Sequence, residues 1–186
     1  VQSVLPKARS VCEKSGKVLV GTRGGEIIEV SGGSSQVLLK GHFDRELWGI
    51  AANPKKAEFA TAGQDNLLAF WDLTLKKQKN CLKLEGPAMC VNYSPDGTLI
   101  AVGLENGKLL VFETSGMSIV FQAHDRTKTI SVVKFSPDGE VLAVGAHDSL
   151  ILTYFVVQKF KLQYKLRGHH STITHLDFSE TSNVIQ

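Results

Sequence analysis

The chain has 186 residues, 42% of them hydrophobic and 21% charged, with 21 Lys plus Arg against 18 Asp plus Glu for a net charge of +3. This balance excludes an intrinsically disordered chain, which needs high charge and few apolar residues. The charge is also too small to point to nucleic acid, and no apolar run reaches the roughly 18 residues that span a bilayer.

The predicted elements are short strands from one end to the other, with no sustained helical periodicity. The first group is Ser10 to Cys12, Lys17 to Gly21, Glu26 to Val30 and Val37 to Lys40. The second is Leu47 to Ala52, Glu58 to Ala62, Leu67 to Trp71 and Lys79 to Leu84. Within it, Asn53-Pro54-Lys55-Lys56 is a turn, because proline fixes φ and lacks the N–H that a continuing strand needs. Gly63-Gln64-Asp65-Asn66 is a second tight turn, with Gly and Asn available for positive φ. The third group is Met89 to Tyr93, Thr98 to Gly103, Lys108 to Phe112 and Ile119 to Gln122. The fourth is Ile130 to Phe135, Val141 to Gly145, Leu150 to Phe155 and Leu162 to Leu166. A fifth group opens with a strand at Thr172 to Phe178. The Gly-rich stretches Gly21 to Gly25 and Ser31 to Ser35 lack the phosphate-loop pattern and read as inter-strand turns.

These groups are copies of one unit. Ser94-Pro95-Asp96-Gly97 recurs as Ser136-Pro137-Asp138-Gly139, 42 positions later. Asn53-Pro54 and Ser179-Glu180 fill the same slot in the flanking units. Trp71-Asp72 aligns with Phe112-Glu113, with Ile28-Glu29 upstream and with Phe155 downstream. Gly41-His42 aligns with Ala123-His124 and with Gly168-His169. Units of about 42 residues with Gly-His at the start and Trp-Asp at the close resemble WD40 repeats. The resemblance implies an all-β, WD40-type β-propeller: about four four-stranded blades plus the first strand of a fifth. The blades are expected at about 7–40, 41–84, 85–122, 123–166 and, incomplete, 168–186, so that 1–186 is a partial propeller. An arc of blades would expose apolar sheet faces, and the chain does not begin with Met. We therefore expect a segment of a longer protein whose remaining blades close the ring, or a ring closed by another chain.

A narrower resemblance rests on Gly41-His42-Phe43-Asp44-Arg45-Glu46-Leu47-Trp48-Gly49-Ile50-Ala51, followed by Phe59, Thr61, Gly63, Asp65, Trp71 and Asp72. Further stretches are Leu99 to Gly103, Ser131 to Gly139 with Leu142 to Asp148, and Gly168 to Asp177. In order and spacing these resemble the second, C-terminal propeller of the echinoderm microtubule-associated protein-like family. That resemblance implies a non-enzymatic scaffold that binds tubulin or microtubules, in the cytoplasm and cytoskeleton or in axonemes. The alternative is a general WD40 protein–protein adaptor. A propeller enzyme would need converging acids, bases or metal ligands, and no such set is visible.

His42, Thr61, Asp65 and Trp71 superficially suggest a catalytic triad. In WD40 blades the same residue types form a structural hydrogen-bond tetrad, and that reading is preferred because buried polar groups must be paired. Elsewhere it decays: Asn106 takes the Asp slot, Phe112 and Phe155 the Trp slot, and Val144 the Thr slot, while His124 and Asp148 survive. His169, His170 and His175 match no zinc spacing. Cys12, Cys81 and Cys90 are far apart and odd in number, which favours a reducing compartment. No catalytic residue, metal or cofactor is expected, and no nucleic-acid or membrane partner. The candidate partner contacts are Lys55, Lys56, Lys76, Lys77 and Lys79, whose charge suits an acidic protein surface. Lys159 and Lys161 form a further basic run.

Overall fold

The computed structural model describes residues 7–186 except 15, 23–25, 40, 43–44 and 183. The Gly-rich turn at 23–25 and part of the family-type opening, Phe43 and Asp44, lie outside the described residues. Among the described residues there are four four-stranded antiparallel sheets and no helix. The chain divides into two compact units, Val1–Glu46 and Leu47–Gln186.

The first unit holds one sheet of β1 (Ala8–Lys14), β2 (Lys17–Thr22), β3 (Ile27–Ser31) and β4 (Ser34–Leu39), paired in sequence order. The second unit holds three blades. Blade 2 is β5 (Leu47–Ala52), β6 (Glu58–Gly63), β7 (Leu67–Asp72) and β8 (Lys77–Lys83). Blade 3 is β9 (Ala88–Tyr93), β10 (Leu99–Leu104), β11 (Leu109–Glu113) and β12 (Ile119–Ala123). Blade 4 is β13 (Ile130–Phe135), β14 (Val141–Ala146), β15 (Ile151–Phe155) and β16 (Lys161–Leu166). This is the all-β, WD40-type propeller architecture expected from the repeats.

The first strands lie against one another, β5 on β9 and β9 on β13, and each second strand covers the next blade's first, β6 on β9 and β10 on β13. Side chains alternate across a strand, so one strand feeds two cores. Ile100, Val102, Leu110 and Phe112 pack with Ala60, Ala62, Leu68 and Phe70 of blade 2. Ala101, Leu109 and Val111, from the same two strands, pack with Ile130, Val133, Leu142, Val144 and Leu152 of blade 4. Both faces are dry, which is why β10 and β11 read as unbroken apolar runs.

The Ser-Pro-Asp-Gly turns are built alike. Ser94 Oγ accepts the N–H of Leu99 at 2.9 Å, and Ser136 Oγ accepts that of Val141 at 2.9 Å. Ser179 Oγ accepts the N–H of Val184 at 3.2 Å in the same way. Gly97 and Gly139 take φ of 73° and 77°, the left-handed region open to glycine. Asp96 and Asp138 are slightly buried, which raises a carboxyl pKa, but hydrogen bonds from Ser94 and Thr98, and from Ser136 and Glu140, outweigh this and hold both below the usual range.

The strand expected at Thr172 to Phe178 is a correction. It joins no ladder and makes an isolated bridge, Phe178 with Ile185. Around that bridge Asp177 and Gln186 exchange backbone hydrogen bonds at 3.0 and 2.9 Å, and Ser179 N–H donates to Val184 O at 2.9 Å. Ile173 N–H instead donates to Ala146 O at 3.2 Å, and Ser131 Oγ donates to Ile173 O, so the segment is held by blade 4.

A Cβ on Gly145 would meet Ile173 Cγ2 at 2.5 Å and Val132 Cγ1 at 2.8 Å. Gly145→Ala is expected to cost about 1–3 kcal/mol in chemical denaturation. Gly116→Ala, whose nearest neighbour would be 3.9 Å away, should stay within about 0.5 kcal/mol. The depressed Asp96 and Asp138 contribute stability that is present above the unfolded carboxylate range near pH 4 and lost as pH falls through their folded values. A Ser94→Ala/Ser136→Ala variant should therefore show a smaller drop in Tm between neutral and acid pH than the parent. An unchanged drop would assign the acid sensitivity elsewhere.

Candidate functional site

Antiparallel order places the first and third turns of a blade at the same end. In blade 2, Leu73 N–H donates to Ala57 O at 2.9 Å, which stitches the β5–β6 and β7–β8 turns together. The first turn is held by Asn53, whose Oδ1 accepts the N–H groups of Lys55 and Lys56 at 2.9 and 3.1 Å. The second is held by Asp72, whose Oδ1 accepts those of Thr74 and Leu75, both at 2.8 Å. Lys55, Lys56, Lys76 and Lys77 are thereby gathered at one end, all exposed. Lys77 already belongs to β8. Lys79 differs: its Nζ pairs with Glu58 Oε2 at 3.1 Å, and buried Glu58 also accepts from Asn53 Nδ2 at 3.0 Å. Its charge is largely committed within the blade.

At the first-strand ends lies a groove of about 400 Å³. Ile50, Tyr93, Phe135 and Phe178 give it apolar walls, with Pro54, Pro95 and Pro137 at its turns. Lys134 and Asp177 line it too and pair at 3.5 Å.

The tetrad residues fall in both units, His42 in the first and Thr61, Asp65 and Trp71 in the second. Within the second, Trp71 Nε1 donates to Thr61 Oγ1 at 2.8 Å and the indole stacks on Phe59, with centroids 5.9 Å apart. Asp65 Oδ1 accepts the N–H of Leu67 at 3.1 Å, and Asn106 and Asp148 do the same for Lys108 and Leu150.

Ladder register corrects the sequence alignment of blade 4. Trp71 faces Phe59, Phe112 faces Ile100 and Tyr154 faces Leu142. Tyr154 therefore occupies the Trp slot, and Phe155, one residue on, points to the other side of the sheet. By the same register Val30, opposite Val18, stands where Ile28 was expected. His124 does not reach Asp148. It is exposed, with Nε2 3.2 Å from Asn106 O. Arg126, two periods of 42 residues after His42, takes the His slot instead.

The sequence reading missed this residue and its network. Arg126 is buried; its Nη1 donates to Asp148 Oδ1 at 2.8 Å and Leu150 O at 2.9 Å, and its Nη2 to Val144 O at 3.1 Å. Tyr154 OH donates to Asp125 Oδ2 at 2.9 Å. Burial lowers the Arg126 pKa, and Asp148 opposes that shift. Burial and the Asp125 carboxylate raise that of Tyr154. The one available signal was spacing: Arg126 precedes Ile130 by four residues, as His169 precedes Ile173.

Burial pushes the Cys90 thiol up to about 12, so it is a packed apolar group and not a nucleophile. Among the described residues no group of three His, Cys, Asp or Glu gathers as metal ligands would, and His169, His170 and His175 are exposed.

The family described as "Echinoderm microtubule-associated protein second beta-propeller" matches residues 47–186, from the first residue of β5 onward. The chain belongs to this family. It is 39% identical over 180 residues to Echinoderm microtubule-associated protein-like 2 of Homo sapiens, covering 94% of this chain and 28% of the relative. It is 37% identical over 183 residues to Echinoderm microtubule-associated protein-like 3 of Homo sapiens, covering 95% of this chain and 20% of that protein. It is 35% identical over 182 residues to Echinoderm microtubule-associated protein-like 1 of Mus musculus, covering 95% and 22%. The chain thus spans between a fifth and about a quarter of the length of these relatives.

Within this family propeller, the Arg126 network should be structural. Arg126→Ala would strand the partly buried Asp148 carboxylate and is expected to cost about 3 kcal/mol. Urea denaturation that shows a loss under about 0.5 kcal/mol would remove Arg126 from the supports of blade 4.

Proposed function

We propose that the chain is part of a non-enzymatic scaffold that binds microtubules or tubulin in the cytoskeleton of the cytoplasm, axonemes included. The observation that carries this is the match of residues 47–186 to the family's second propeller. It is supported by relatives whose names associate them with microtubules. The contacts assigned to an acidic partner are Lys55, Lys56, Lys76 and Lys77, with Lys79 a lesser contributor because Glu58 shares its charge. His42, Thr61, Asp65 and Trp71 are assigned a scaffolding role, for which the bond from Trp71 to Thr61 speaks. Proteins other than tubulin are secondary partners. Nucleic acid and membranes are not part of the reading, and further blades of the same longer protein complete the propeller. Turnover is not part of it either: buried Cys90 lacks a reactive thiol, and a hydrolase screen should return none.

Co-pelleting of the full-length protein with polymerised microtubules tests this. The pelleted fraction should be high at about 0.05 M salt and fall markedly by about 0.3 M, because surface charges are screened within a shorter distance. No pelleting at low salt would move the protein to the general adaptor class.

A further inference from the structure

We infer that the turn end of blade 2 is a docking site for an acidic polypeptide segment that also carries bulky apolar side chains. The inference deepens the binding function proposed above and rests on it for the premise that the blades serve recognition. The site consists of Lys55, Lys56, Lys76 and Lys77 together with Leu73 and Leu75.

Three observations carry it. First, the two turns are stitched side by side and each is fixed by an Asn or Asp side chain, so the six residues are presented on a preorganised base. Second, Leu73 and Leu75 are 51% and 68% exposed amid these lysines. Lys76 takes φ 52°, as Met117 and Lys159 do at 54° and 55° in the matching turns of blades 3 and 4, so the shared turn geometry sets where it projects. Third, the molecule contains its own control. The matching turn of blade 3 is Thr114-Ser115-Gly116-Met117-Ser118, in which buried Thr114 donates to Gly97 O at 2.9 Å. That turn has no lysine and no leucine, so the fold does not require either; the blade 4 turn carries one exposed valine, Val157, and one lysine, Lys159, and its first turn, Pro137-Asp138-Gly139, is acidic, so only blade 2 combines lysines on both turns. The first turn of blade 3, Pro95-Asp96-Gly97, carries an acid where blade 2 carries lysines.

The charge selects the occupant. Asp72 and Glu58 offset only part of the charge of these four lysines and Lys79, and among the described residues Lys55, Lys56, Lys76 and Lys77 form no ion pair. An anionic segment is drawn in by the lysines and anchored by its apolar side chains on Leu73 and Leu75. A purely polar acidic chain would gain the first term and not the second.

The test uses the full-length protein and three probes: a short fluorescent glutamate-rich peptide with two phenylalanines, the same peptide with alanines in their place, and phosphatidylcholine vesicles containing phosphatidylserine. The phenylalanine peptide should bind about tenfold tighter than the alanine peptide. Lys76→Glu/Lys77→Glu should weaken it about tenfold and flatten its salt dependence. Leu73→Ser/Leu75→Ser should bring it to the alanine level with the salt dependence kept. Equal binding of both peptides, preference for the vesicles, or indifference to both variants would each overturn the inference. Circular dichroism melts of both variants, at exposed positions, check that folding is intact. Microtubule co-pelleting run in parallel separates the two claims. Parent pelleting without peptide binding sinks the docking site alone, whereas peptide binding without pelleting sinks the microtubule reading alone.

Discussion

Each middle strand of a blade has two faces, and both must be kept from water. This is the constraint on which the rest depends. β10 shows it most directly: Ile100 and Val102 are buried against blade 2, while Ala101, between them, is buried against blade 4. A sheet of this kind gains its stability from its neighbours, since burial of apolar area is the dominant favourable term. Close approach is then a requirement. Gly103 and Gly145 stand at the same place in successive blades, and a Cβ on either would run into the segment packed on it, Ile130 of β13 or Ile173 beyond blade 4. The absence of a side chain at these two positions lets the layers meet.

Dry packing leaves polar groups to be satisfied in the gap between turns and strands, and the molecule uses two chemistries to do it. Blade 2 uses Trp71 and Thr61. Blade 4 has valine at the Thr slot, so no hydroxyl is available, and a single arginine spans the space. Arg126 reaches the carbonyl of Val144, the carbonyl of Leu150 and the carboxylate of Asp148. A planar guanidinium with five donors suits such a role better than an imidazole with two nitrogens. A buried charge is tolerable there because it is paired and hydrogen-bonded. Tyr154, in the Trp slot, turns its hydroxyl to Asp125 beside Arg126, so even the aromatic corner is re-routed.

Interior and ends carry different information. The slots that face neighbouring blades repeat because packing demands it. The turn ends obey weaker rules. They need a side chain that closes the turn, which Asn53, Ser94, Ser136 and Ser179 supply by the same logic. Beyond that they vary freely, from Thr-Ser-Gly in blade 3 to Leu-Thr-Leu-Lys-Lys in blade 2. Rigid turns on a packed scaffold are where recognition residues are best placed. A function of this kind depends on what protrudes from the blades more than on what holds them.

Strand positions were legible in the sequence almost throughout. Apolar runs bounded by Pro, Gly, Asn and Asp placed β5 and β13 residue for residue and the other strands to within a few residues. That succeeds because a strand with two buried faces is an uninterrupted apolar run, and turn residues punctuate it locally. What the sequence did not give was register. A shift of one residue moved the Trp slot from Tyr154 to Phe155, and a shift of two put His124 where Arg126 belongs. The segment at Thr172 to Phe178 has strand composition, but its backbone bonds to blade 4 at Ala146 and makes one isolated bridge at Phe178. The sequence by itself thus determined the repeat, the blades and the family. Tertiary structure alone decided which residue fills each slot and which lysines stand together. The physical reason is that composition and punctuation act along the chain, whereas register and charge clustering arise from hydrogen bonds between residues far apart in it.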